Sequence, residues 1–396
     1  MPEPPALHAD ASMLTRRFGK EIINYYAGSR LNRYSFLRSD AVFLAAAAAS
    51  PAARFIVLSN LAPLVAAGNR HLAHLPFDRV RPLIGPDPFA LSDARAVDYF
   101  DSSAPPKPLV VFLGTVEGGH EAVDLDTSDF GVVRAQPIFA VDATPRGAGA
   151  GAAAAFLKQH EAEGLSLQTD VRSMVLNSEA DWNTRNPFCA GCGGPNLSVE
   201  AGYKRVCPRT DRKGGSDAQP RADCPTRHGV SNLCFPRSDP TMIAAVVSAD
   251  GQRILLGRQA RYPPDWYSTL AGFLEPGESV EEAVRREVWE EAGVRVGRVV
   301  IHSTQPWPYP STLMLGAVAQ ALPGEEEITL NDKELESAKW FTVDEVREAL
   351  KETGLRGEPA PEGHRESRLR VPPPQAIANR LMTAVVEGYL TGIPKI

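Results

Sequence analysis

The 396-residue chain contains no apolar run long enough to cross a membrane. Its longest greasy stretch, Phe43 to Ala49, is closed off by Ser50, Pro51 and Arg54, well short of the roughly 20 apolar residues a spanning helix needs. The opening segment MPEPPALHADASMLTRRFGK lacks the apolar core of a secretory signal, so a cytoplasmic location is the expectation. Positive charge is also in short supply. The 42 Lys and Arg against 48 Asp and Glu leave a net −6, which argues against general adhesion to nucleic acid or anionic membrane while permitting a local basic patch. Cysteine is scarce, yet all five (Cys189, Cys192, Cys207, Cys224 and Cys234) fall in one short segment. In a reducing compartment such clustering favours a metal site over disulfides.

The length allows two or three domains. Short apolar runs at Phe55 to Leu58, Leu109 to Leu113 and Ile138 to Val141 are separated by Pro/Gly-rich turns and predict strands of a mixed α/β domain. A Gly/Ala tract from Ala143 to Ala155 leads into a helix ending near Gly164, and a second helix is expected over Val171 to Trp182. The aromatic and basic run LNRYSFLRSD (Leu31 to Asp40) reads as an ordinary amphipathic surface. After the cysteines, Thr241 to Ser248 and Ile254 to Leu256 flank Asp250-Gly251, a hairpin signal that opens a second mixed domain. Further strands are expected near Leu313 to Ala319 and Ala338 to Phe341. A polar loop follows over Arg356 to Glu366, and a closing helix over Gln375 to Leu390.

The segment GFLEPGESVEEAVRREVWEEAGV (Gly272 to Val294) carries the chemistry. Ser279 followed by Glu282 is a capping-box pattern that starts a helix near Val280, and Gly293 stops it after Ala292. Glu287, Glu290 and Glu291 then share one face, while Val284 and Val288 fall on another side and anchor the helix to a core. Glu278 joins them from the preceding loop. Carboxylates packed that closely repel unless a cation sits among them, and hard oxygen ligands suit Mg²⁺ or Mn²⁺. A Glu-rich helix is ordinarily a solvated face. The fixed spacing is what argues otherwise.

That spacing, G-x5-E-x7-R-E-U-x-E-E-x-G-U with U aliphatic, resembles the Nudix box, and every defined position is filled. Gly272, Glu278, Arg286, Glu287, Val288, Glu290, Glu291, Gly293 and Val294 would meet it by chance on the order of once in a million chains of this length. The resemblance implies a hydrolase that uses divalent ions to direct water onto a nucleoside-linked diphosphate. It also implies Glu287, Glu291 and the Ala271 carbonyl as metal ligands, Glu290 as a nearby ligand or base, and Arg286 and Glu278 as supports.

Downstream, TQPWPYPST (Thr304 to Thr312) is similar to the SQPWPFPxS signature of NADH pyrophosphatases. NPFCAGCG, ELESAKWF and VPPPQAIANRL occur in that family's order. The resemblance implies substrate contacts from Gln305, Pro306, Trp307, Pro308, Tyr309, Pro310, Ser311, Thr312 and Ala378, a further metal ligand in Glu334, and base stacking by Phe273 and Phe235, the second usually Tyr. It further implies three domains: 1–184, a zinc ribbon over 185–237, and a Nudix α/β/α sandwich over 238–396. The fold class is then α+β, the assembly a homodimer, and the substrate NAD(H), with RNA capped by NAD as an alternative. A non-catalytic nucleotide sensor is a third reading. Some relatives are peroxisomal, but Gly-Ile-Pro-Lys-Ile at the end of this chain is not a peroxisomal tripeptide.

Cys189-x2-Cys192 with Cys207 fits a zinc ribbon. Residues 208–223 look like an insertion that delays the fourth ligand to Cys224, which is favoured over Cys234 because CPTRHG matches the family better than LCFPR. Nine Lys/Arg against four Asp/Glu between Arg185 and Arg237 make this segment locally basic, a solvated loop or a guide for polyphosphate or an RNA end.

Overall fold

The computed structural model describes residues 22–25, 27, 29, 31–66, 71–105, 107–117, 120–167, 174–215, 217–228, 236–307, 311–332, 334–351 and 369–388. Its contacts divide into two compact units, one running from Arg30 to Arg237 and the other built mainly from residues after Ser238.

The first unit is organised by a mixed sheet. Strands β1 (Arg54–Ser59), β2 (Ala62–Val65), β3 (Leu109–Glu117), β4 (Val123–Asp126), β5 (Val132–Asp142) and β6 (Ser166–Leu167) line up as β3-β5-β1-β2-β6, with β4 also on β5. Only β1 and β5 run parallel, placing Phe55 beside Phe139, and the two rings stack with centroids 5.0 Å apart. Because side chains alternate along a strand, Phe55 and Val57 enter one core with Phe43, Phe112 and Phe139, while Ile56 and Leu58 enter a second. The greasy stretch after Asp40 is helix α1 (Ala41–Ala49), started by the Asp40 carboxylate, which accepts from the Val42 and Phe43 N–H groups. Helices α2 (Phe77–Ile84), α3 (Asp93–Asp98), α4 (Ala150–Ala162) and α5 (Met174–Arg185) complete this part. The Gly/Ala tract thus leads into a helix as expected, and α5 covers the described part of the 171–182 segment and continues to Arg185, residues 171–173 lying outside the described residues.

The ribbon follows in the same unit. Cys189 and Cys192 sit on a knuckle closed by Cys189 N–H to Gly194 O and Gly193 N–H to Cys189 O. The hairpin of β7 (Leu197–Val199) and β8 (Lys204–Val206) then delivers Cys207. The insertion is itself a hairpin, β9 (Thr210–Asp211) against β10 (Gln219–Pro220), which carries the chain out and returns it at Cys224.

The second unit holds β11 (Asp239–Val247), β12 (Arg253–Arg258), β13 (Leu270–Phe273), β14 (Val296–Trp307), β15 (Thr312–Ala321) and β16 (Ser337–Thr342), in the order β14-β15-β11-β12-β16. The Asp250-Gly251 hairpin is present, with Val247 opposite Ile254 and Gly251 at φ 71°. Because β11 is long, it pairs with β12 at Val246 and Val247 and with β13 at Thr241 to Ala244. Helix α6 (Val280–Ala292) covers one face through Val284 and Val288; α7 (Val343–Lys351) and α8 (Ile377–Val386) cover the other through Val346, Leu381 and Met382. This is the α/β/α sandwich expected of the C-terminal part. No helix among the described residues is long and apolar enough to cross a membrane. The polar segment 356–366 lies outside the described residues.

Candidate active site and thiolate centre

Helix α6 begins and ends where its sequence dictates. The Ser279 hydroxyl accepts the Glu282 N–H, the Glu282 carboxylate accepts the Ser279 N–H, and Gly293 closes the helix in the left-handed region. A Cβ at Gly293 would also come within 2.9 Å of the Thr329 backbone, so glycine is required twice over.

On the catalytic face, Arg286 is the hub. Its Nε and Nη2 donate to the two Glu278 oxygens at 2.6 and 2.9 Å, its Nη1 to Glu287 and Glu290 at 3.0 and 2.9 Å, and its Nη2 also to the Phe273 carbonyl at 2.8 Å. Expected from the sequence only as a support, this arginine holds three carboxylates and the end of β13. The Arg286 hydrogen bonds, with a further one from the Glu275 N–H, hold the Glu278 carboxyl down at about 2.

Glu287 and Glu291 stand in the opposite situation. Glu291 is 1% exposed and its Oε2 has no hydrogen-bond partner among the described residues. Burial, then the charges of Glu334, Glu287 and Asp332, push its carboxyl up to about 9. Burial also raises Glu287, with Glu290 and Glu334 adding to it and Arg286 opposing. The Glu287 carboxylate lies directly against the backbone of Gly272: a Cβ there would fall 2.0 to 2.3 Å from its three terminal atoms. Ala271, the preceding residue on β13, is therefore at the same spot. A buried, unpartnered carboxylate oxygen among like charges is a donor set that fits a hard divalent cation. Asp332 was missed by sequence reasoning; its only signal is its place two residues before Glu334, whose N–H its carboxylate accepts.

Around this centre Phe273 is 60% exposed and Trp307, at the end of β14, is partly exposed. Gln305 is placed differently from a surface contact. It is fully buried, donating to the Tyr25 and Gln375 carbonyls at 2.9 and 2.8 Å and accepting the Ile377 N–H at 2.9 Å. Pro306 and Trp307 pair with Leu313 and Thr312 across β14 and β15, and Ser311 donates to the Asp239 carboxylate at 3.1 Å. Ala378 is buried in the first turn of α8, whose N-cap residue is Ala376 and whose first N–H, that of Ile377, goes to Gln305. Pro308, Tyr309, Pro310 and Phe235 lie outside the described residues.

In the ribbon, the sulfurs of Cys189, Cys192, Cys207 and Cys224 all lie within 4.8 Å of one another. Thr226 Oγ1 is 3.2 Å from Cys189 Sγ and 3.1 Å from Cys224 Sγ. Burial opposes ionisation of Cys189, but Thr226, the Cys192 and Gly191 N–H groups and Cys224 outweigh it and lower this thiol, whereas burial raises Cys207. Four clustered sulfurs with a lowered thiol fit tetrahedral Zn²⁺. Cys234 lies outside the described residues. Arg227 fastens the centre, donating to the Cys207 and Pro208 carbonyls at 3.1 and 2.7 Å and from Nη2 to Cys207 Sγ at 3.4 Å. Arg205 donates to Asn183 and Asn196, and Arg221 to the Pro195 carbonyl. Several charges of the basic segment are therefore engaged in holding the ribbon together.

Family profiles match two stretches of the chain: NUDIX domain over residues 239–362 and NADH pyrophosphatase zinc ribbon domain over residues 184–214. NAD-capped RNA hydrolase NUDT12 of Macaca fascicularis is 35% identical over 387 residues, covering 92% of this chain and 73% of that protein. The chain belongs to the zinc-ribbon Nudix hydrolases. Another relative of this Nudix family, an NAD-capped RNA hydrolase of Schizosaccharomyces pombe, is 33% identical over 371 residues, 91% of this chain and 92% of its own length. A third, the mouse protein NAD(P)H pyrophosphatase NUDT13, mitochondrial, is 37% identical over 235 residues, 59% of each chain. The Nudix profile spans both β13 and α6, which together assemble the carboxylates. The ribbon profile ends at residue 214, inside the inserted hairpin and ahead of Cys224.

Proposed function

We propose that this protein hydrolyses the diphosphate of NAD(H), giving NMN(H) and AMP, with the same centre acting on the NAD cap of RNA as the second reading. The observation that carries the proposal is the buried Glu291 oxygen without a partner, facing Glu287, Glu334 and Asp332 beside the exposed Phe273 ring. The names of the relatives support the choice of dinucleotide and keep capped RNA in view. We assign Mg²⁺ or Mn²⁺ to Ala271, Glu287, Glu291 and Glu334, and Zn²⁺ to Cys189, Cys192, Cys207 and Cys224. A homodimer in the cytoplasm goes with this reading.

Bound divalent ions would neutralise phosphate charge and acidify the attacking water. The chain's own residues do the rest. Arg286 fixes Glu287 and Glu290 relative to the Phe273 carbonyl, so the carboxylate face and the stacking ring keep one geometry. Glu290 is more open than Glu287 and Glu291 on the same face, and its position suits it to receive the proton from water. Phe273 offers a flat face to a base, and the first turn of α8 offers the Ala378 N–H between those of Ile377 and Asn379, which Gln305 and the Ala376 carbonyl accept.

The test is to incubate the purified protein with Mg²⁺ or Mn²⁺ and NADH, NAD or ADP-ribose separately, and to identify products by mass spectrometry. NMNH plus AMP with little ADP-ribose cleavage is expected. Intact dinucleotides after incubation with folded, zinc-loaded protein would overturn the reading. Competition between NAD-capped RNA and free NADH then ranks the two substrates.

A further inference from the structure

A short segment from the beginning of the chain is built into the catalytic unit. Among the described residues, strand β14 is the edge strand of the Nudix sheet, with β15 on one side and no strand on the other. An edge strand leaves backbone groups that need partners. Here Asn24 supplies one: its Nδ2 donates to the Thr304 carbonyl at 2.8 Å and to Ser303 Oγ at 3.0 Å, across some 280 residues of sequence. Asn24 is only 2% exposed. The next residue continues the attachment, since the Tyr25 carbonyl accepts from Gln305 Nε2 at 2.9 Å.

Gln305 extends the connection. The same amide that grips Tyr25 donates to the Gln375 carbonyl and accepts the Ile377 N–H, so one fully buried side chain joins the early segment, β14 and the start of α8. The junction has little slack. Gly316, opposite Ser303 on β15, could not carry a Cβ without meeting Ile377 Cδ1 at 2.7 Å and the Ser303 carbonyl at 2.9 Å. The register of β14 also shifts between Ile301 and Ser303, so the attachment falls immediately after an irregularity that pairing with β15 alone does not straighten.

We propose that Asn24 is a positioning residue for the nucleotide subsite. By holding Ser303 and Thr304 it sets Gln305, and through Gln305 it sets both the Pro306-Trp307 end of β14 and the first turn of α8 that contains Ala378. It touches no reacting group and acts on substrate affinity. This rests on the reading of Trp307 and Ala378 as substrate contacts.

Two variants of the full-length protein test it: Asn24→Asp, which keeps the volume but turns a carboxylate oxygen toward the Thr304 carbonyl, and Asn24→Ala. Each should raise KM for NADH by about fivefold, the effect of losing roughly 1 kcal/mol of buried hydrogen bonding, and leave kcat within about twofold. Simple loss of folded enzyme would instead lower apparent kcat and leave KM in place. Amide hydrogen exchange gives a readout independent of activity: Thr304, Gln305, Ile377 and Ala378 should exchange faster, while α6 keeps its protection. Unchanged KM, or unchanged exchange at those amides, in a folded variant overturns the inference. If both Asn24 variants fail to fold, Ser303→Ala removes one of the two acceptors, and a rise of about twofold in KM with faster exchange at Gln305 is expected. If the wild-type protein leaves NADH intact, the functional reading fails, and the exchange pattern alone decides whether Asn24 holds α8.

Discussion

The two ligand clusters of this protein solve the same problem in opposite ways. Each brings together like groups that resist one another. In the Nudix unit Glu287, Glu290 and Glu291 come from one helix, so spacing along the chain nearly fixes their geometry, Glu334 and Asp332 join from the loop before β16, and Arg286 holds Glu278, Glu287 and Glu290. In the ribbon the four sulfurs come from a knuckle, the end of one hairpin and the far side of an inserted second hairpin. Among the described residues, Arg227 touches one sulfur and Thr226 two, and no cation bridges several of them as Arg286 does its carboxylates. The carboxylate centre is therefore preorganised by its helix, whereas the thiolate centre is expected to need the proposed Zn²⁺ to hold its fold closed. Catalytic loss and structural loss should separate cleanly between the two.

The largest effect on turnover is expected at Glu291. Glu291→Gln keeps the shape of the side chain and removes a buried carboxyl that could ionise to bind a cation among Glu334, Glu287 and Asp332. Turnover of NADH should fall at least about a hundredfold, while the melting temperature holds, because a neutral amide replaces a carboxyl that burial already keeps neutral near pH 7. Calorimetry and product assays on one preparation check both. Turnover surviving the change would mean that the metal assignment is wrong or that the protein is a sensor without catalysis. A marked drop in melting temperature would break the contrast between the two centres.

Cys224 should behave in the reverse manner. Cys224→Ser is expected to release zinc, lower the melting temperature by several degrees and reduce activity only in proportion to the folded fraction. Cys234→Ser should keep one zinc per chain. Zinc content by atomic emission together with thermal melting distinguishes them. A zinc-loaded Cys224→Ser protein would transfer the fourth ligand to another residue.

Legibility in the sequence followed the same division. Helix α6 could be delimited from Ser279, Glu282 and Gly293 alone, because caps and stops are local; the strands that flank Asp250-Gly251 signalled a mixed domain, and its sandwich layering came from the Nudix resemblance. Features made by distant segments were not legible. Gln305 read as a contact residue because it sits in an aromatic and proline-rich motif, and nothing near it signals that three backbone groups from two other segments occupy its amide. Asn24 carries no signal at all in a polar opening segment. Asp332 contributes charge to Glu291 only once the loop before β16 folds back. The insertion after Cys207 was visible as extra length, but its hairpin was not, since Thr210-Asp211 and Gln219-Pro220 are too short and polar for a strand pattern. The basic character of the ribbon was legible, whereas the engagement of Arg205, Arg221 and Arg227 by nearby carbonyls and side chains required the structure.

The smallest effect is expected where the inserted hairpin is pinned. Asp101 accepts hydrogen bonds from the Ser103 hydroxyl and N–H and from the Gly214 and Gly215 N–H groups, fastening the hairpin tip to the loop after α3. These bonds, Ser103 first, hold the Asp101 carboxyl below its ordinary value. A lowered folded value means that the stabilisation is in place above the ordinary carboxylate range and is lost as pH falls through the folded value. Asp101→Asn should therefore differ from the wild type by less than about 2 °C in melting temperature at neutral pH and converge with it in acid, because the group is exposed. Zinc content should not change. If Asp101→Asn lost zinc, the hairpin pin rather than the metal would be what delivers Cys224, and the ribbon would resemble the helix in organising its ligands in advance.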